Sequence, residues 1–174
     1  MTLDAAKAAV LVTFAAIAQI AFVNVFELAE GRADVLLLAI VGIALLRGPL
    51  FGAAAGFWAG LLVDTMTLGT LGLTSLLLTI GGYWAGRFGE ATSDHQHQRA
   101  RILLAVTALT IGVEIGALLV HVFLGDTASF GTVVGRVLLP SLALNLVLAI
   151  PAYWAIRKLL PPAPRREREV AVGG

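Results

Sequence analysis

Cysteine is absent, which excludes a disulfide framework and any thiolate metal site and leaves the redox compartment unread. Charge is scarce. Only 13% of the 174 residues are Asp, Glu, Lys or Arg, against about 25% in soluble domains. A formal net charge of +1 excludes the broad basic footprint of a nucleic-acid binder. The chain also lacks a G-x-S-x-G elbow, an H-E-x-x-H helix, a P-loop and a membrane-depth pair of carboxylates. No catalytic, cofactor or metal site is therefore expected, and no repeat of fixed period is visible.

What is abundant is apolar side chain: 59% of residues are hydrophobic and the mean hydropathy is +0.92. A water-exposed domain of this size could not hide so much apolar surface, so lipid is the expected solvent. Six apolar blocks stand out, over about 8–26, 35–46, 50–63, 71–84, 102–124 and 133–159. The first contains Ala16-Ile17-Ala18, a small-x-small pattern like that at the end of a cleaved leader. Its apolar run outlasts a leader core of about 7–15 residues, so a retained first span is expected. A spanning helix needs about 20 residues. Blocks two to four are shorter, so they must borrow flanking residues, thin the bilayer, or sit against other helices.

Blocks two and three meet at Arg47-Gly48-Pro49. A single continuous helix there would put Arg47 near mid-membrane, at roughly 2.5–3.5 kcal/mol. It would also put Pro49 in a helix interior, where proline removes a hydrogen bond and clashes with the preceding turn. A hairpin avoids both. Six spans with the N-terminus inside place Lys7, Arg47, Arg87, Arg99, Arg101, Arg157, Lys158, Arg165, Arg166 and Arg168 on the cytoplasmic side and only Arg32 and Arg136 outside. That is a strong positive-inside bias. The expectation is an all-α integral membrane protein with six transmembrane helices in residues 1–160, both termini cytoplasmic, and a flexible tail over 161–174.

Small residues form ridges. Gly52, Gly56 and Gly60 recur every four residues in the third block, Gly82 and Gly86 in the fourth, and Gly112 and Gly116 in the fifth. Such ridges let helix backbones approach in lipid, and packing within the chain is preferred over a partner interface. Polar groups inside spans are candidates for function by default. Glu114 and His121 share a face of the fifth block, but about two turns or roughly 10 Å separate them, too far to share one proton or metal. Asn145, in mid-span, reads as glue between helices. Asp34 opens the second block and Asp64 closes the third, both toward the outer side, where Arg136 could pair with Asp64 or Asp126. Asp94-His95-Gln96-His97 has two histidines but no further ligands at zinc spacing, so a solvated loop is expected.

Asp34-Val-Leu-Leu-Leu, Leu46-Arg47-Gly48-Pro49, Gly56-Phe57-Trp58-Ala59-Gly60-Leu61-Leu62-Val63-Asp64, Leu71-Gly72-Leu73 and Gly82-Tyr83-Trp84-Ala85-Gly86 follow one another in an order that resembles the MreD family of rod shape-determining proteins. The motifs span residues 34–90, and length and span count extend the likeness to the whole chain. The resemblance implies a non-enzymatic scaffold of the bacterial cell-elongation machinery in the inner membrane. It implies pairing with MreC and, through it, control of peptidoglycan synthesis by RodA and its class B transpeptidase. It also implies a compact bundle like the substrate-binding subunits of energy-coupling factor transporters, with Arg47, Gly56, Gly60 and Asp64 as structural positions. The Pro- and Arg-rich tail after Leu160 departs from the family pattern. The alternative is a vitamin-binding transporter subunit, motivated by that fold likeness and by Glu114, His121 and Asn145.

Overall fold

Backbone polar groups in hydrocarbon must be satisfied within their own segment, so an apolar chain of this kind resolves into helices. The computed structural model describes residues 2–22, 34–67, 71–91, 98–123 and 138–160. Six helices account for nearly all of them: α1 (Thr2–Phe22), α2 (Val35–Arg47), α3 (Pro49–Thr67), α4 (Leu73–Ala91), α5 (Gln98–Phe123) and α6 (Leu139–Leu159). No strand occurs among the described residues. By length and composition, α3, α5 over Gln98–Leu119, and α6 are apolar and long enough to cross a membrane. The tail over 161–174 and the histidine-bearing stretch 94–97 lie outside the described residues.

Each apolar block yields one helix. The short third and fourth blocks do borrow from their flanks, and α3 and α4 reach 19 residues each. The second does not. α2 has 13 residues, about 20 Å at 1.5 Å per residue, against a hydrocarbon core of about 30 Å. Instead it sits against other helices. Every residue from Leu36 to Ala44, and Leu46, is buried. A helix apolar on all sides belongs in the middle of a bundle, and α2 touches all five others. Around it, α1 packs on α3, α3 on α4, α4 on α5, and α5 on α6. Leu37, Ile40, Val41 and Ile43 of α2 meet Val12 of α1 and Val106 of α5 in the core.

The break between α2 and α3 falls where the sequence places it. The Gly48 N–H donates to the Ala44 carbonyl at 2.8 Å and closes α2. Gly48 then takes φ 92°, a left-handed value that other residues rarely adopt. Pro49 opens α3, where its missing N–H costs nothing. Across this corner a Cβ on Gly52 would fall 2.7 Å from that of Ala44, so the two helices fold back on each other. The single-helix alternative is thereby excluded.

Neighbouring helices run antiparallel. Gln19, near the end of α1, bonds to Val35 at the start of α2. Gly86, near the end of α4, meets Pro49 at the start of α3. Arg101 reaches from the start of α5 to Gly89, and Gln98 reaches Tyr153 near the end of α6. As a result, Lys7, Arg47, Arg87, Arg99, Arg101, Arg157 and Lys158, all the Lys and Arg among the described residues, gather at one end of the bundle.

Candidate functional site

The glycines of α3 and α4 face one another. A Cβ on Gly52 would strike the Gly82 carbonyl, one on Gly56 the Leu78 carbonyl, and one on Gly60 the backbone of Ser75. From the other side, Gly82 meets Gly52 and Gly86 meets Pro49. Backbone lies against backbone along the whole hairpin, and no side chain can be inserted without separating the helices. Gly52, Gly56, Gly60, Gly82 and Gly86 are buried, so this ridge is spent inside the chain and offers no surface to a partner.

The same hairpin explains Asp64. Its side chain is only 2% exposed, and backbone N–H groups at the start of the next helix donate to it. Oδ2 accepts from the Gly72 N–H at 2.8 Å and the Ser75 N–H at 3.4 Å, and Oδ1 accepts from the Thr74 N–H at 3.3 Å. These are donors that the first turn of α4 leaves without helical partners, and a carboxylate there also complements the helix dipole. Gly72, at φ +92°, makes the turn that delivers them. Ser75 Oγ in turn donates to the Phe57 carbonyl at 3.0 Å. Among the described residues Asp64 therefore serves as a cap on α4. Arg136 and Asp126 lie outside the described residues.

A second polar cluster surrounds the start of α2. The Asp34 carboxylate accepts from the Leu37 N–H at 2.8 Å. Asn145 Oδ1 accepts from the Asp34 N–H and Gln19 Oε1 from the Val35 N–H, each at 2.8 Å. Asn145 Nδ2 then donates to Thr110 Oγ1 at 3.2 Å. Two helices, α1 and α6, thereby supply side chains to one helix end, and Thr110 of α5 braces the one from α6. Because Thr110 stands midway along α5, α2 begins inside the bundle and not at its rim. Asn145 is helix glue, as its mid-span position suggested, with an identifiable target. Gln19 and Thr110 were not singled out from the sequence, since an isolated Gln or Thr in an apolar helix carries no pattern of its own. Glu114 is half-buried one turn beyond Thr110. His121 has helical backbone, but its side chain lies outside the described residues.

The glycines of α5 behave differently from those of α3 and α4. A Cβ on Gly112 would meet nothing within 4 Å, and one on Gly116 would touch only the Leu77 side chain, at 2.5 Å. Gly112 therefore makes no close helix contact, contrary to its reading as a packing ridge. It lines an apolar groove of about 570 Å³ between α4 and α5, with Ile80, Trp84, Phe88, Leu104 and Ala108 around it. Leu109 projects onto Gly81 and holds the two helices apart there. At the basic end, an Arg101 guanidinium N–H donates to the Gly89 carbonyl at 3.4 Å. Arg87 and Glu90 form an exposed pair at 3.4 Å, of the kind that contributes little. Arg157 lies over Trp154, 5.7 Å from the ring centre.

Chemically, this arrangement packs helices and caps buried helix ends. Among the described residues no three of His, Cys, Asp or Glu gather as a metal site. The family model described as rod shape-determining protein MreD matches residues 3–161. No curated protein and no solved structure matches the chain.

Proposed function

The chain belongs to the MreD family of rod shape-determining proteins, and from that membership we propose that it is a non-enzymatic membrane scaffold of the bacterial cell-elongation machinery. It crosses the inner membrane six times with both termini in the cytoplasm. It pairs with MreC and, through that contact, helps control peptidoglycan synthesis by RodA and its class B transpeptidase. Its bundle is of the kind found in the substrate-binding subunits of energy-coupling factor transporters.

The observation that carries this reading is the extent of the family match, 3–161 of 174 residues. Two structural features support it. The described cations share one end of the bundle, consistent with a cytoplasmic face under the positive-inside rule. Four of the five buried polar side chains among the described residues, Asp64, Ser75, Thr110 and Asn145, hold helices in place, which suits a protein that works by shape. Because the α3 and α4 glycines are occupied within the chain, partner contact falls to lipid-facing side chains such as Phe14, Leu119 and Val147.

Photo-crosslinking residues placed at those three positions, in a rod-shaped host, test the proposal. MreC should be captured from one of the faces, and depletion of the chain should round the cells. Cells that remain rods on depletion, with no MreC captured from any face, would overturn it. The transporter-subunit alternative is less well supported. Asn145, one of the three residues that motivated it, uses its amide on Asp34 and Thr110. The groove, moreover, is apolar and opens sideways.

A further inference from the structure

The groove between α4 and α5 is as deep as one leaflet. Its lining runs from Leu77 to Phe88 on α4 and from Leu104 to Val113 on α5. At 1.5 Å per residue that is about 15 Å, half of a hydrocarbon core of about 30 Å. It reaches toward the basic end, since Phe88 lies three residues before the end of α4 and Leu104 six residues into α5. Its floor is built from small residues, Gly81, Ala85, Ala105, Ala108 and Gly112, and Gly112 leaves space where a side chain would stand.

The inner end is cationic. Arg101 spans it from α5 to the Gly89 carbonyl of α4. Arg87 and Arg99 stand on the same two helix ends, with Glu90 as the opposing acid. The first turn of α5 also turns its unpaired backbone N–H groups and positive dipole end toward this side. An apolar slot about half a bilayer long, with a guanidinium joining the two helices just beyond its Phe88–Leu104 end, matches an amphiphile with a single-signed head.

We propose that the groove holds an acyl chain of an anionic phospholipid from the leaflet at the basic end, with the phosphate drawn to Arg101 and the start of α5. The match is one of charge and of depth. A transmembrane helix of a partner would need a seat along the full hydrocarbon thickness, and this groove supplies half of it.

Native mass spectrometry of the full chain, released from nanodiscs of phosphatidylcholine mixed with phosphatidylglycerol, tests the site. The wild type should retain one phosphatidylglycerol about fivefold over phosphatidylcholine, which corresponds to the ~1 kcal/mol that a basic residue contributes at an anionic surface. Arg101→Gln should bring the two lipids level. Gly112→Leu, whose Cβ would have no atom within 4 Å, puts a side chain into the groove and should lower retention of both about tenfold. Ala108→Phe, at a second exposed lining position, should do the same. Val147→Leu, on the exposed face of α6, should change nothing. Equal retention of the two headgroups by the wild type overturns the proposal. So does undiminished lipid in folded Gly112→Leu and Ala108→Phe, or a photo-crosslinker at Gly112 that captures a protein in place of lipid.

Discussion

Gly56 and Gly112 offer a direct comparison, because each sits in a Gly-xxx-Gly repeat in an apolar helix and the same Ala substitution should act oppositely on them. At Gly56 the added methyl would run into the Leu78 carbonyl carbon and oxygen and the Thr79 nitrogen of α4. These are backbone atoms of a helix fixed along its length by Gly52, Gly60 and Gly86, so no rotamer change relieves the clash. The helices must part, and overpacking of this sort costs about 1–3 kcal/mol. At Gly112 the methyl meets nothing, and replacing a mid-helix Gly by Ala gains up to about 1 kcal/mol of helix propensity. The expected gap between the variants is therefore about 1–4 kcal/mol. It can be read as unfolding free energy in mixed micelles, with size-exclusion profiles confirming that both variants start folded. If Gly56→Ala is as stable as Gly112→Ala, the backbone-to-backbone contact between α3 and α4 is wrong.

Asp64→Ala should lower stability by about 1–2 kcal/mol, because it removes the acceptor of three N–H groups, one buried and two partly buried. Asp64→Asn keeps one acceptor oxygen and should lose about half of that; equal losses for the two would argue against capping. Asn145→Leu should cost about 1–2 kcal/mol in the same assay. Combined with Thr110→Val it should show a shared loss smaller than the sum, as expected for one network, and strict additivity would refute the link. A green fluorescent protein fused after Gly48 should glow and an alkaline phosphatase fused there should stay silent, since the Arg47-Gly48-Pro49 corner is assigned to the cytoplasm; the reverse pattern would overturn the orientation.

The corner at Gly48 and Pro49 was legible in the sequence because proline and glycine constrain the backbone wherever they occur. The ridges of α3 and α4 were legible as packing surfaces, but not as partners of each other. Spacing alone could not separate Gly52 from Gly112, whose difference lies in the neighbouring helix. The capping role of Asp64 was not legible for a related reason. Its donors are backbone N–H groups eight to eleven residues on, which carry no side-chain signature. α4 runs on to Ala91, seven residues beyond the apolar block that ends at 84. Residues such as Arg87 and Glu90 end an apolar block without ending a helix. The groove was invisible, since a cavity is made by the side chains that keep two helices apart.

One link in the fold joins residues made far apart in time. The amide of Asp34 finds its acceptor on Asn145, 111 positions later, while the glycine zipper closes entirely within 48–86. During synthesis the hairpin can form as soon as its own two helices are in the bilayer, but the head of α2 stays incomplete until the last helix arrives. A chain cut short before α6 leaves the Asp34 N–H without its acceptor, so the start of α2 is finished only by the helix made after all the others described.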